Sequence, residues 1–235
     1  MNILAVVAHP DDIEIFCAGT LAKYARQGHR IFHAVFTSGN MGDLHIPPAQ
    51  LAATRRAEAE AGAAVIGATL IWGGIDDECV YPNEAQRNIM IDILREADPD
   101  IILTHSPNDY HPDHRYVGQL VFDSYHQKGL PNIPGPKLPP CRFGLTQVFH
   151  MDHPSGINFQ PQEYVDITDE METKREMLKK HVSQLASMQE HSSADILDML
   201  DVMARFRGLN CGCKYAEGFR REEAFHRVKP YRVLP

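Results

Sequence analysis

Five apolar residues, Ile3 to Val7, run without interruption into Ala8-His9-Pro10-Asp11-Asp12. A short, unbroken Ile/Val/Leu run is the pattern of a strand buried on both faces, which calls for helices on both sides of a mostly parallel sheet. A histidine and two carboxylates at the mouth of such a strand pack poorly. They suit a cation. Pro10 fixes its own φ and stiffens the turn, so an imidazole nitrogen of His9 and a carboxylate oxygen of Asp12 can converge on one ion, with Asp11 left beside it.

The rest of the chain repeats strand, polar loop and helix. Ile15 to Gln27 carries Phe16, Leu21, Ala22 and Ala25 at roughly helical spacing with Gly28 as a left-handed stop, and Ile31 to Phe36 is a second strand. The loop Ser38-Gly39-Asn40-Met41-Gly42-Asp43 follows, placed either to cradle a substrate or only to turn the chain. Ala49 to Ile66 is an Ala-rich helix ended by Gly67, Leu70-Ile71-Trp72 is a third strand, and Asn83-Glu84-Ala85-Gln86 is a capping box opening a helix before Pro99. Ile101 to Thr104 is the fourth strand, followed by His111-Pro112-Asp113-His114 and a helix whose buried stripe is Val117, Leu120 and Val121. The proline-rich stretch Pro131 to Pro140 reads as a lid or a subunit contact, and Thr146 to Phe149 as a fifth strand. Two helices close the chain, one with Met171, Leu178, Val182 and Leu185 in register, the other opened by Ser192 with Asp195 three residues on and stopped at Gly208.

Without a repeat or a linker, residues 1–235 are expected to form one α/β domain, a doubly wound mostly parallel sheet with helices on both faces. In a strand order 3-2-1-4-5, the first and fourth strands flank the topological switch point. The two histidine clusters then meet in the crevice beyond their carboxyl ends.

Composition narrows the partners. Lys and Arg total 23 against 31 acidic residues, a net charge of −8, which argues against nucleic acid. The opening apolar run is too short for a signal peptide or a span and no later run approaches membrane length, so a cytoplasmic protein with no membrane span is expected. Cys17, Cys79, Cys141, Cys211 and Cys213 are odd in number and scattered, as in a reducing compartment. Cys211-Gly212-Cys213 has no second Cys or His pair nearby to close a metal site. His29, His33, His45, His126 and His226 stand isolated.

Two histidines and one carboxylate leave zinc an open position for water, which is the catalytic arrangement. With zinc at His9, Asp12 and His114, the bound water becomes a nucleophile near neutral pH and the free Asp11 is the choice for general base. A protonated His111 on the opposite side would stabilise the oxyanion and protonate the leaving amine. Asp113, next but one, would hold that imidazolium charged and raise the His111 pKa. A facial triad for Fe2+ in an oxidoreductase uses the same donor types, although Asp11 and His111 have hydrolytic uses and no obvious oxidative one. The third reading is a non-catalytic sugar-binding module.

Ala8-His9-Pro10-Asp11-Asp12 and His111-Pro112-Asp113-His114 together resemble the LmbE-like, PIG-L superfamily of zinc-dependent de-N-acetylases. The likeness extends to Arg55-Arg56, Asp76 and Tyr215-Ala216-Glu217-Gly218-Phe219, the last being similar to the bacillithiol-pathway branch that acts on N-acetylglucosaminyl malate. The resemblance implies His9, Asp12 and His114 as zinc ligands, Asp11 as general base, His111 as acid or oxyanion partner, and a small-molecule N-acetylated amino sugar as substrate. It also implies a Rossmann-like fold and a homo-oligomer, hexameric in that branch. Arg56 and Asp76 are candidates for sugar contacts, with Tyr110 beside His111 as a third. Two departures stand out: Ile13 separates the aspartate pair from Glu14, and Asp109 stands where mycothiol-pathway relatives place a catalytic tyrosine.

Overall fold

The computed structural model describes residues 1–144, 146–154, 156–191 and 195–224. Among them, seven strands form one sheet in the order β3-β2-β1-β4-β5-β7-β6. These are β1 (Asn2–Val7), β2 (Arg30–Thr37), β3 (Thr69–Ile75), β4 (Ile101–Thr104), β5 (Gln147–Met151), β6 (Glu163–Asp166) and β7 (Ala216–Arg221). The first five are parallel in the order expected from the sequence. β7 joins antiparallel to β5, and β6 antiparallel to β7. Those two antiparallel strands were not expected, because Glu163-Tyr164-Val165-Asp166 and the Gly- and Arg-bearing β7 show no apolar run.

The helices are α1 (Asp12–Phe16), α2 (Ala18–Arg26), α3 (Pro48–Ala64), α4 (Glu84–Ala97), α5 (Pro112–Ser124), α6 (Met171–Leu178), α7 (Val182–His191) and α8 (Ile196–Cys211). β1 sets the layers by alternation. Ile3, Ala5 and Val7 pack with Leu21 and Tyr24 of α2, Leu178 of α6 and Leu200 of α8. Leu4, Val6 and Ala8 pack with Met90 and Leu94 of α4 and Val117 and Val121 of α5. All six of these side chains, Ile3 to Ala8, are fully buried, and each large one contributes roughly 1.5–3 kcal/mol. A register slip would be costly, so β1 delivers His9 to one fixed level at the sheet's end.

Four local expectations change. The first helix is two, broken at Cys17 (φ −145°). The stretch from Met171 to Leu185 is interrupted after Leu178, which leaves Val182 62% exposed. Ser192 lies outside the described residues, and so does His226. α8 is capped by Asp195, whose side chain accepts from Leu197 N at 2.8 Å, and it runs through Gly208 to Gly212, the residue at φ 80°. Gly208 is small for another reason: a Cβ there would lie 2.7 Å from the carbonyl oxygens of Cys213 and Lys214.

Pro131 to Pro140 is no lid over the histidine clusters. Asp92 accepts from Lys137 N and Leu138 N at 2.9 and 2.8 Å, and Arg95 donates to the carbonyls of Lys128, Leu130 and Leu138. That end of α4 lies beside the start of β1, where Asn2 Nδ2 donates to Ala97 O. The stretch is pinned at the end of the sheet opposite His9.

Candidate metal and catalytic site

β1 and β4 are neighbours with Val6 opposite Thr104, so the loops that follow them leave the sheet side by side. Ala8 N donates to His105 Nε2 at 3.0 Å and ties the two loops together. Asp12 begins α1, and its Oδ2 accepts from His9 N at 2.8 Å, folding the carboxylate back toward the histidine. His111 caps α5, Pro112 starts it, and His114 turns inward on its first turn. His9 Nδ1 lies 3.1 Å from His114 Nε2 and 3.4 Å from Asp12 Oδ2, and Asp12 Oδ1 lies 3.4 Å from His114 Nε2. A tetrahedral ion with bonds of about 2.0–2.1 Å holds its ligand atoms about 3.3–3.4 Å apart. The three donors fit one divalent cation.

Carboxylates stand behind both imidazoles. His114 Nδ1 is 3.1 Å from Asp109 Oδ1, and His9 Nε2 is 3.2 Å from Asp77 Oδ1 and 3.5 Å from Asp113 Oδ2. Such partners fix the tautomer and raise the basicity of a ligating histidine. Asp77 is held in turn by Thr37 Oγ1 at 3.2 Å, and its N–H donates to Asn40 Oδ1 at 2.9 Å. Asp11, Asp12, Asp77, Asp109 and Asp113 are all buried, an excess of negative charge that calls for a cation.

The electrostatics of the cluster show the same demand. Burial works against a charged His9 and His114, but Asp12 and the carboxylates behind the rings outweigh it. His9 moves well above the ordinary imidazole range and His114 rises to about 9. Burial likewise opposes the Asp12 carboxylate, yet His114, His9 and His105 hold it well below its usual value. Asp11 goes the other way: burial, then the charge of Asp12, raise its pKa.

Three other donor groupings overlap this one, His9-His111-His114, Asp12-His105-His114 and His9-Asp77-Asp113. His105 is the poorer ligand, because its Nε2 is occupied by Ala8 N–H and its ring stacks flat on His114, 3.9 Å between centroids. Its Nε2 is also 3.2 Å from Asp12 Oδ2.

A cavity of about 310 Å³ opens over the cluster. Its lining brings together His9, Asp11, Asp12, Tyr110, His111 and His114. Arg56 and Asp76 are not part of it. Arg56 is exposed and pairs with Glu60, while exposed Asp76 accepts from Asn40 Nδ2 at 2.8 Å. The neighbouring Arg55 and Asp77 line the cavity instead. Arg55 donates to Gln184 Oε1 and to Gly42 O, and a Cβ at Gly39 or Gly42 would fall 2.7 or 2.8 Å from its side chain. The glycines of that loop therefore make room for a guanidinium.

His111 also differs from expectation. Its pKa is lowered, by burial and then by the charges of His9 and His114, against the pull of Glu78 and Asp113. Asp113 does not hold this ring through its carboxylate, whose Oδ2 accepts from Glu78 N at 2.9 Å and faces His9. Its backbone N–H instead donates to His111 Nδ1 at 3.2 Å, which places the proton of the neutral ring on Nε2. Asp109, Asp77 and His105 were the residues missed. Asp109 sits two before His111, Asp77 follows Asp76 directly, and His105 comes directly after the fourth strand, so proximity to the motifs was the available signal.

Residues 4–125, which contain both clusters, match the PIG-L family described as GlcNAc-PI de-N-acetylase. The chain belongs to this family. Among PIG-L relatives, the diacetylchitobiose deacetylase of Thermococcus kodakarensis is 30% identical over 93% of this chain and 82% of its own length. The 4-oxalmesaconate hydratase of Pseudomonas putida is 26% identical over 74% of this chain and 70% of its own. The structure of the N,N'-diacetylchitobiose deacetylase of Pyrococcus horikoshii with its inhibitor matches at a TM-score of 0.79 and 28% identity, covering 97% of this chain and 86% of that one. Among the described residues no helix is long and apolar enough to cross a membrane.

Proposed function

We propose that this PIG-L protein is a zinc-dependent hydrolase that removes acetate from an N-acetylglucosamine-type amino sugar with a small aglycone. The observation that carries the proposal is the convergence of His9 Nδ1, Asp12 and His114 Nε2 within 3.1–3.4 Å, with Asp11 and His111 on the same cavity. Bound there, the ion would supply a polarised water and a Lewis acid for the amide carbonyl. Asp11, its pKa raised by burial and by Asp12, takes a proton from water as general base. As water oxygen bonds to the carbonyl carbon, the oxyanion accepts a hydrogen bond from the Nε2–H of neutral His111. Asp11 then returns its proton to the departing amide nitrogen, the C–N bond breaks, and acetate and the free amine leave. Arg55 and Asp77 face the cavity as a guanidinium fork and a carboxylate able to hold sugar hydroxyls, with Tyr110 at its rim.

The hydratase relative favours a second reading, addition of water to an unsaturated carboxylate by the same activated water. One experiment separates the two. Zinc-loaded protein is assayed for acetate release from a panel of N-acetylglucosaminyl compounds and for loss of ultraviolet absorbance from conjugated dicarboxylates. Acetate release with no absorbance loss supports the deacetylase. The converse establishes the hydratase.

A further inference from the structure

The sequence motif Tyr215-Ala216-Glu217-Gly218-Phe219 contributes nothing to the cavity lining, yet its glutamate is among the most completely engaged side chains in the protein. Glu217 is buried at the start of β7 and is ion-paired with Lys174 of α6, itself 2% exposed. Its Oε1 accepts from Gly19 N at 2.9 Å and its Oε2 from Thr20 N at 2.8 Å. Lys174 Nζ donates to Ile15 O at 2.9 Å.

These three backbone partners have one thing in common. In an uninterrupted helix, the N–H of Gly19 would bond to the C=O of Ile15 and that of Thr20 to Phe16, four residues back. The break at Cys17 separates them, and orphaned backbone groups in a buried position need other partners. The ion pair is spliced into the gap: Gly19 N–H meets the carboxylate, the carboxylate meets the ammonium, and the ammonium meets Ile15 O. Gly19 is required at this point, since a Cβ would lie 2.7 Å from Ile167 Cδ1.

The splice fixes α1, a helix of only five residues that begins with Asp12 and ends with Phe16. Ile15 and Phe16 line the cavity, and the Phe16 ring meets His105 and His114 edge-on, centroids 5.8 and 6.0 Å away. Too short to hold its own orientation, α1 depends on what grips its carboxyl end.

We infer that Lys174 and Glu217 are positioning residues of the active centre: their buried ion pair bridges the broken helix and thereby sets where Asp11, Asp12 and Phe16 stand. The inference rests on the proposed metal site. The pair touches none of the reacting atoms. It acts through the backbone of α1.

The test uses zinc affinity by chelator competition, thermal melting, and kcat and KM on whichever substrate releases acetate. Lys174→Met and Glu217→Gln are expected to weaken zinc binding about tenfold or more and to lower kcat with KM nearly unchanged. Glu217→Asp, which keeps the charge but shortens the reach, should fold and lose affinity in the same direction. The exchanged pair Lys174→Glu with Glu217→Lys retains an ion pair of the wrong polarity for both helix ends and should not restore affinity. Folded variants that melt lower but bind zinc and turn over like the parent overturn the inference, as does full restoration by the exchanged pair. Should every variant fail to fold, amide exchange on the unaltered protein decides: zinc must slow exchange at Gly19 and Thr20 if the splice and the site are coupled. Unchanged exchange there refutes the coupling. Unaltered protein that binds no zinc refutes the metal reading itself, and this inference with it.

Discussion

Replacing Asp109 with asparagine isolates the carboxylate behind His114. The residue is buried, its Oδ1 stands 3.1 Å from His114 Nδ1, and the same oxygen accepts from His111 N at 3.0 Å. Asparagine preserves the shape and one acceptor but removes the charge that holds His114 Nδ1 protonated and Nε2 free for the metal. Loss of such a partner costs 10- to 100-fold in metal affinity, or about 1.4–2.7 kcal/mol. The structure also ranks this change against its counterparts. His9 has two carboxylates behind it, Asp77 at 3.2 Å and Asp113 at 3.5 Å, so removing either charge leaves the other in place. Asp109→Asn is therefore expected to weaken zinc more than Asp77→Asn or Asp113→Asn alone, and the double variant of the latter two to approach it. Competition with a chromophoric chelator at fixed pH measures all four. Equal affinities for parent and Asp109→Asn, or a reversed ranking, would refute the reasoning.

Asp11→Asn and His111→Ala should each retain zinc while acetate release falls by roughly 10²–10⁴-fold, checked by metal analysis alongside the assay; metal loss in both would reject the assigned roles. Gly39→Ala places a Cβ 2.7 Å from Arg55 at a left-handed φ of 64°, so KM should rise and the melting temperature fall while zinc affinity holds. Buried His33 is held neutral, its pKa pushed down to about 4 by desolvation, against an unfolded value near 6.5. The unfolded chain takes up the proton first, so stability drops as pH falls from about 6.5 toward 4, by about 2 kcal/mol at pH 5 from this group alone. Urea unfolding at pH 7 and pH 5 should show a smaller acid penalty in His33→Gln, and identical penalties would contradict the assignment.

The legible parts of the chain were those where one physical pattern dominates. β1 and β4 are short apolar runs, right-handed crossovers restrict them to doubly wound orders, and in the order 3-2-1-4-5 they lie side by side, so the meeting of His9 with His114 was legible on that condition. What was not legible depends on partners remote in sequence. The break at Cys17 is invisible in a periodicity that spans it, because its hydrogen bonds are answered by residues 174 and 217. The choice of Arg55 over Arg56, and Asp77 over Asp76, turns on helix phase and on a bulge at the end of β3, where the pairing shifts between Val35 and Thr37. The lowered His111 pKa reflects burial first and then two imidazoles brought close by the fold, which together outweigh the adjacent Asp113.

The central claim is that one divalent ion is shared by the loops after β1 and β4. Anomalous diffraction at the zinc edge from metal-loaded crystals measures it directly. One peak is expected, about 2.0–2.2 Å from His9 Nδ1, His114 Nε2 and an Asp12 oxygen. A peak between His9 Nε2, Asp77 and Asp113, or on His111 without Asp12, would contradict the account.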